Sequence, residues 1–426
     1  MPSDSRIRAI VLTVRYGTRA SYYEDWREAF ERSPLFAATT FNLFRRGERR
    51  AAMRALEGAD LVVALHAASA DTLAFLEPLE AALQARRGRL LMLVGNEYNL
   101  PWMPLGDKLA FIKRVGADFV GTQLPLEAGK WLYAGTGAEI LALPHALNDA
   151  VFRHELGESE RPLDIGGRSA RYPVFIGDDE RNRVYDLFRE WGPRQGLSVD
   201  IDNSARLDRP AWARFLNDCR GTIGSEAGSW YLERDDRTVL EIQSFIRGKA
   251  GGAVLRADGF AHRAARRLPY PVKAWLRRLV AASPIRHEAI DDARVPFGEI
   301  EERFFAGRLR CPAYSKCISS RHFDAAGTGT CQILINGRYN DILAADEHYI
   351  ALAPDFANLG EAIARFRDAG ERARIAEAAR ALALEAHTYR HRIAGLYDRL
   401  SGSAEAPRPD PLPASGERKG PALAGG

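Results

Sequence analysis

The stretch "ADLVVALHAASADTLAFLEPLEAALQARRGRLLMLVGN", residues 59–96, holds two short apolar runs, "ADLVVALH" and "RLLMLVGN", separated by a segment whose apolar residues recur at helical spacing. Short, nearly continuous runs of aliphatic residues read as strands buried on both faces, as in parallel sheets. Strand, helix and strand in that order make one βαβ unit. The alternation extends both ways. "IRAIVLTV" and "FAATTFNLF" come before it, and "ADFVGTQL" and "AEILALPH" after it. The pattern predicts a doubly wound parallel sheet for the first part of the chain.

After "LPHALNDAVF" the periodicity stops. Residues 154–171, "HELGESERPLDIGGRSAR", are polar, charged and glycine-containing, and read as a linker. A second alternating series then runs through "YPVFIGDD", "LSVDID", "CRGTIGS", "VLEIQSF" and "CQILING", each read as a strand. "EAIARFRDAGERARIAEAARALALEAHTYRHRIAGLYDRL" is rich in Ala, Glu, Arg and Leu and predicts long C-terminal helices. The remainder is rich in Pro, Gly, Ser and Ala, a composition expected to be disordered. The expected organisation is therefore a first α/β domain over 1–153, a linker over 154–171, a second α/β domain over 172–400 and a tail over 401–426. Ligands of open α/β sheets bind beyond the carboxyl ends of the strands, so two such domains place a cleft between them.

Composition bounds the function. The chain has 426 residues, too many for one ordinary domain, and its 46% hydrophobic content suits large cores. A formal net charge of +4 argues against a protein that coats nucleic acid, and no nucleic-acid partner is expected. Arginine-rich "HTYRHRI" lacks interleaved stacking aromatics and reads as part of a helix closing the domain. Cys219, Cys311, Cys317 and Cys331 form neither a C-x-x-C pair nor zinc-like spacing with His, and are expected to be reduced thiols of a cytoplasmic protein. No apolar run approaches the roughly 20 residues that cross a bilayer. Residues 262–287 are basic, with Val272, Trp275, Leu276, Leu279 and Val280 on one helical face. Such a helix either packs that face on the domain or rests on an anionic membrane at the inner face. Neither G-x-x-x-x-G-K-[ST] nor G-x-G-x-x-G in dinucleotide context is present, which removes the main support for kinase and dehydrogenase readings.

Six blocks follow one another along the chain: "VGNEYNL", "LPHALNDAVF", "IGSEAGSW", "ISSRHFDAAGTGTCQILINGRYNDIL", "HYIALAPDFANL" and "HTYRHR". In these blocks the chain resembles GT-B glycosyltransferases of the group-1-like branch related to the spore-maturation CgeB proteins. The resemblance implies an α/β, GT-B fold: two Rossmann-like domains with parallel sheets facing a cleft, closed by C-terminal helices. It further implies an acceptor-binding first domain, a second domain that binds a nucleoside diphosphate sugar, and a glycan or lipid-linked acceptor. No cofactor and no metal are implied. Nucleotide-sugar epimerases share the architecture, and a catalytically silent binding protein is the reading from another class.

A nucleotide sugar calls for anion donors, a carboxylate for hydroxyls and close backbone approach. In "SSRHFDAAGTGT", residues 319–330, Ser320, Arg321, His322, Gly327, Gly329 and Thr330 are expected at the donor, with Arg321 and the glycines on diphosphate and Asp324 on ribose. The implied motif has Glu at the position of Asp324 and an acid eight residues earlier, where this chain has Lys316. "IGDDERNR" offers Arg181 or Arg183 to a phosphate, and Arg183 is taken as the donor contact; "IGSEAGSW" offers Glu226 to the donor sugar or to backbone N–H groups. In the first domain His66 and Glu97 stand at strand ends, where a side chain can orient or deprotonate an acceptor hydroxyl. A lone His is more often a satisfied core residue. Asn96, His145 and Asn148 are read as acceptor or hinge residues.

Overall fold

Each apolar run of the first series is a strand, and the inner ones bury side chains on both faces. The computed structural model describes residues 6–15, 21–69, 72–101, 103–203, 207–250, 295–308 and 311–401. From the N-terminus, β1 (Ile7–Thr13), α1 (Ser21–Arg32), β2 (Phe36–Asn42), α2 (Arg46–Ala55), β3 (Leu61–Ala64), α3 (His66–Ser69), α4 (Glu80–Ala85), β4 (Arg89–Leu93), α5 (Leu105–Arg114), β5 (Phe119–Thr122), α6 (Leu126–Tyr133) and β6 (Glu139–Ala142) alternate as expected. The strands form one parallel sheet in the order β2-β1-β3-β4-β5-β6. Along β3 the side chains divide by parity. Val62 and Ala64 join a core with Leu79, Leu83, Phe111 and Leu132, while Leu61 and Val63 join Trp26 and Phe30 on the other face.

The second sheet, also parallel, has the order β13-β12-β9-β7-β8. The elements of this half are β7 (Leu163–Arg168), α7 (Glu180–Arg194), β8 (Val199–Asp202), α8 (Arg209–Asp218), β9 (Cys219–Gly224), β10 (Ala227–Gly228), α9 (Arg237–Ala250), α10 (Phe297–Ile300), β11 (Lys316–Cys317), α11 (Ser320–Gly327), β12 (Cys331–Ile335) and β13 (Ile350–Leu352), of which β10 and β11 pair antiparallel apart from the sheet. Three helices follow: α12 (Leu359–Arg367), α13 (Ala369–Ala386) and α14 (Tyr389–Ser401). No described helix is long and apolar enough to cross a membrane. The basic stretch 262–287 and the tail beyond Ser401 lie outside the described residues.

Four expectations need correction. The linker read over 154–171 contains β7, an interior strand. It looked unlike a strand because of Gly166 and Gly167, yet a Cβ on Gly166 would lie 2.2 Å from Cys219 Sγ and 2.7 Å from Phe215 Cζ. Glycine is what lets α8 and β9 close on β7. "YPVFIGDD" is a 3-10 turn over Val174–Ile176, ended by Gly177 at φ 66°, instead of a strand. "VLEIQSF" lies inside α9, where Val239, Ile242 and Ile246 share a buried cluster while Leu240 is exposed. That spacing is helical. Finally, the second domain does not run unbroken to residue 400. Tyr389, Ile393, Leu396 and Leu400 of α14 pack with Leu61, Val63 and Leu91 of the first sheet. The chain crosses back through main-chain bonds of 2.8 Å from Leu147 N to His387 O and 3.0 Å from Tyr389 N to Leu147 O.

The halves also meet through side chains. Arg209 of α8 donates to Asp25 and Glu28 of α1 at 2.7 and 2.6 Å. Burial drives the Asp25 carboxyl up to about 6, against the lowering effect of hydrogen bonds from Asn148 and Arg209.

Candidate functional site

The carboxyl ends of both sheets open on one cavity of about 410 Å³. Gly95–Glu97 after β4, Gln123 after β5 and His145 after β6 form one wall. Arg168 and Ser169 at the end of β7, Arg181 of α7, and Ser319–Arg321 with Asp324 at the start of α11 form the other. Two helices thus direct their N-terminal turns at the cavity, where backbone N–H groups and the helix dipole favour an anion.

Arg181 is the second residue of α7 and only 6% exposed. Its guanidinium lies 3.9 Å from the centre of the Tyr172 ring, and its one side-chain hydrogen bond among the described residues, to Glu226 O, is long at 3.5 Å. Among the described residues no carboxylate pairs with it. A buried cation without a counter-ion is costly, and an anion in the cavity would supply one. Arg183, the arginine expected at the donor, is not in the wall. It pairs with Asp179 at 3.0 Å and donates to Pro354 O at 3.1 Å. Two residues on a helix differ by about 200° in direction, so one of the pair must turn away.

Arg321 lies in the wall on α11 and donates to Ser169 Oγ at 3.2 Å. Ser320 is buried beside it. His322 serves instead as the cap of α11: the Ser319 N–H donates to its Nδ1 at 3.0 Å. Burial, helped by Arg321, lowers its pKa well below the ordinary range. Asp324 reaches the wall one turn later and accepts from Trp212 Nε1 at 2.9 Å. Burial, with Asp25 adding, raises its carboxyl well above the usual range, more than the Trp212 bond lowers it.

The Gly-Thr-Gly-Thr run is at the opposite end of α11, away from the cavity. A Cβ on Gly327 would meet Leu147 Cδ1 at 2.4 Å and Phe152 O at 2.6 Å; Gly329, at φ 67°, sits against the His154 ring. Thr330 Oγ1 donates to Leu216 O at 2.8 Å and accepts from Arg161, whose Nη2 also holds Thr328 O at 2.6 Å. The glycines therefore permit close packing where α11 turns into β12, and the phosphate-loop reading of Gly327, Gly329 and Thr330 is wrong in place. Gly327→Ala is expected to destabilise the fold by about 1–3 kcal/mol, the usual cost of overpacking, despite alanine's better helix propensity. Affinity for a nucleoside diphosphate should not change. Normal melting with lost affinity would return the run to the site.

Glu226 is buried behind the wall. It accepts from Tyr314 Oη and, at 2.7 Å, from Tyr339 N, so it fixes the loop after β12 and does not face the ligand. In the first domain Glu97 does reach the cavity. It accepts from Thr122 Oγ1, from Tyr133 Oη at 2.7 Å and from Gln123 N at 3.1 Å. Burial raises its pKa even against those donors. Asn96, also in the wall, holds φ 50° and accepts from Tyr98 Oη at 3.0 Å.

His66 is fully buried and absent from the wall, with Trp26 and His145 rings 5.7 and 5.2 Å away. Burial, with His145 and Lys108 adding, keeps it neutral. It is a core histidine outside the cavity wall, not at the cavity where the catalytic reading placed it. His145 is the imidazole at the cavity. Its Nδ1 accepts from Trp26 Nε1 at 3.2 Å, and burial, with Arg392 adding, lowers its pKa to about 3. An indole N–H can only donate, so the proton of His145 is on Nε2. Asn148 lies off the cavity and bonds Asp25 at 2.7 Å, in the contact between the halves. Sequence reading missed Arg168, Ser169, Tyr172 and Trp212; the first two sit in the stretch taken for a linker. Among the described residues no cluster of His, Cys, Asp or Glu has the arrangement of a metal site.

Residues 302–398 match a family model described as Glycosyl transferase-like. No curated protein matches the chain. Among solved structures it is similar to Anabaena Alr3699/HepE in complex with UDP-glucose, at 10% identity and TM-score 0.50, over 93% of this chain and 100% of that one. It is also similar to an alpha-glucosyltransferase in complex with UDP-glucose and DNA containing an abasic site, at 10% identity and TM-score 0.52, with the same coverage. Two parallel α/β sheets facing a cleft, matched to these structures over nearly the whole chain, give the protein the GT-B fold, with a glycosyl transferase-like domain in its C-terminal part.

Proposed function

We propose that the protein is a glycosyltransferase that moves a sugar from a nucleoside diphosphate sugar to a hydroxyl of a glycan or lipid-linked acceptor. The observation that carries this reading is Arg181, a buried cation in the first turn of α7 that lines the cavity with the start of α11 and has no carboxylate partner among the described residues. The glycosyl transferase-like match over 302–398 and the UDP-glucose held by two proteins of the same fold support it. In the reaction the bond from the anomeric carbon to the diphosphate oxygen breaks, and the electron pair leaves with the diphosphate. Arg181, Arg321 and the N–H groups that open α11 stabilise that charge. The acceptor oxygen forms the new bond and passes its proton to the Glu97 carboxylate. Glu97, held in one orientation by its three donors, receives the acceptor hydroxyl from the side of the first sheet. Asp324 has one oxygen on Trp212 and directs the other to a ribose hydroxyl. His145 donates from Nε2. The two domains exclude water from the donor.

The reading is tested by thermal denaturation with a panel of nucleotides. UDP and UDP-glucose are expected to raise the melting temperature by a few degrees, because a ligand that binds only the native state stabilises it; UMP and glucose should do much less. If no nucleoside diphosphate or nucleotide sugar shifts the transition, the proposal fails.

A further inference from the structure

The strand β2 ends at the cleft side of the first sheet, and the chain turns there into α2 through "NLFRRGERRAAMRAL", residues 42–56. From Phe44 to Arg54 this segment carries five arginines against one glutamate, an excess equal to the net charge of the whole chain. The one acid is already used: Glu48 accepts from Arg45 at 3.0 Å and from Asn42 N at 2.7 Å. Arg46, Arg50 and Arg54 are exposed and Arg49 is half-buried, and none of the four forms an ion pair among the described residues.

Helical geometry sorts these residues. Ala52 and, just beyond the helix, Leu56 are buried in the core of the first domain. Arg46, Arg49, Arg50 and Met53 follow the three-and-four spacing of one stripe on the outer side, with Arg54 beside it. Met53 is 37% exposed and Phe44, just before the helix, 41% exposed, two of the four large apolar side chains exposed among the described residues. A cationic surface that also presents unburied Phe and Met differs from an ordinary solvated helix. Charge alone would suit any polyanion. The two apolar side chains gain only where they can leave water, and an anionic bilayer offers both phosphate charge and an acyl boundary.

We propose that the outer face of α2, with Phe44, docks the protein on the surface of an anionic lipid bilayer. This holds whether or not the cleft takes a nucleotide sugar. The orientation is constrained by the fold. All strands of the first sheet end on the cavity side, and only β1 and β3 separate β2 from β4, whose end supplies Glu97. The Phe44 end of the docked surface is therefore on the cavity side of the first domain.

The test is co-sedimentation of the full chain with vesicles of phosphatidylglycerol mixed into phosphatidylcholine, compared with phosphatidylcholine alone. Wild type should bind the anionic vesicles and leave the neutral ones. R46Q/R50Q/R54Q should lower binding about 100-fold, and F44S/M53S should lower it clearly at constant charge. Both variants change exposed side chains, so their melting temperature and UDP affinity should equal those of the wild type, which separates failed docking from a failed cleft. Absence of binding by the wild type, or unchanged binding by the arginine variant, overturns the proposal. So does normal vesicle binding by F44S/M53S together with loss of duplex DNA binding by the arginine variant, which would make α2 a polyanion surface.

Discussion

Arg181→Ala is expected to weaken UDP binding by about 100-fold, read by titration calorimetry. The figure follows from losing one or two charge-assisted hydrogen bonds to a diphosphate, each about 1.5–3 kcal/mol. The variant should also fold at least as well as the wild type. In the free protein Arg181 has an aromatic ring and one long bond to a carbonyl in place of a counter-ion, so removing it relieves a buried charge. Lower affinity without lower stability is the signature of a residue held for its ligand. Arg181→Lys keeps the charge but not the planar fork, and should fall between the two. By contrast, Arg183→Ala should bind UDP normally, since its guanidinium is engaged with Asp179 and Pro354 outside the cavity.

Lys316→Met should destabilise the protein by about 3–5 kcal/mol, the usual cost of removing one partner from a buried ionic cluster. Lys316 is almost fully buried. Its Nζ is 2.8 Å from Asp178 Oδ2 and is also bonded to Glu180. Burial works against its charge, but the two carboxylates outweigh that and hold the ammonium protonated above its ordinary range. Without it, two acids adjacent in the fold face each other at the entry of α7. Because Arg181 follows Glu180 directly, UDP affinity should fall as well. Neutralising all three, as Lys316→Met with Asp178→Asn and Glu180→Gln, should recover most of the stability. Chemical denaturation of the single and triple variants checks the account; a single variant as stable as wild type would contradict it. The charge of Lys316 is thus spent within the protein, on Asp178 and Glu180.

The first sheet was readable because its inner strands β3, β4 and β5 are covered on both faces and so appear as continuous apolar runs. β7 was hidden for the opposite reason: Gly166 and Gly167 make room for neighbours and supply no apolar signal of their own. "VLEIQSF" is apolar enough for a strand, and only the joint burial of Val239, Ile242 and Ile246 resolves it as helix. The site was legible where a residue's direction follows from a helix start, as for Ser320 and Arg321. It was not legible for Arg181 against Arg183, because a choice between residues two apart needs the helix phase. The glycines failed differently. Gly327 and Gly329 answer to Leu147, Phe152 and His154, which are far away in sequence. Likewise, nothing local tells His66 from His145; Trp26, more than a hundred residues before His145, fixes the tautomer of the one at the cavity.

The cavity between the sheets is expected to hold a nucleoside diphosphate by its phosphates, at Arg181 and the start of α11. A crystal structure of the protein with UDP tests it most directly. The diphosphate should lie within hydrogen-bonding distance of the Arg181 guanidinium, with Arg321 and the first N–H groups of α11 beside it. A diphosphate bound at Gly327–Thr330, or an Arg181 that makes no contact with the bound nucleotide, would contradict it.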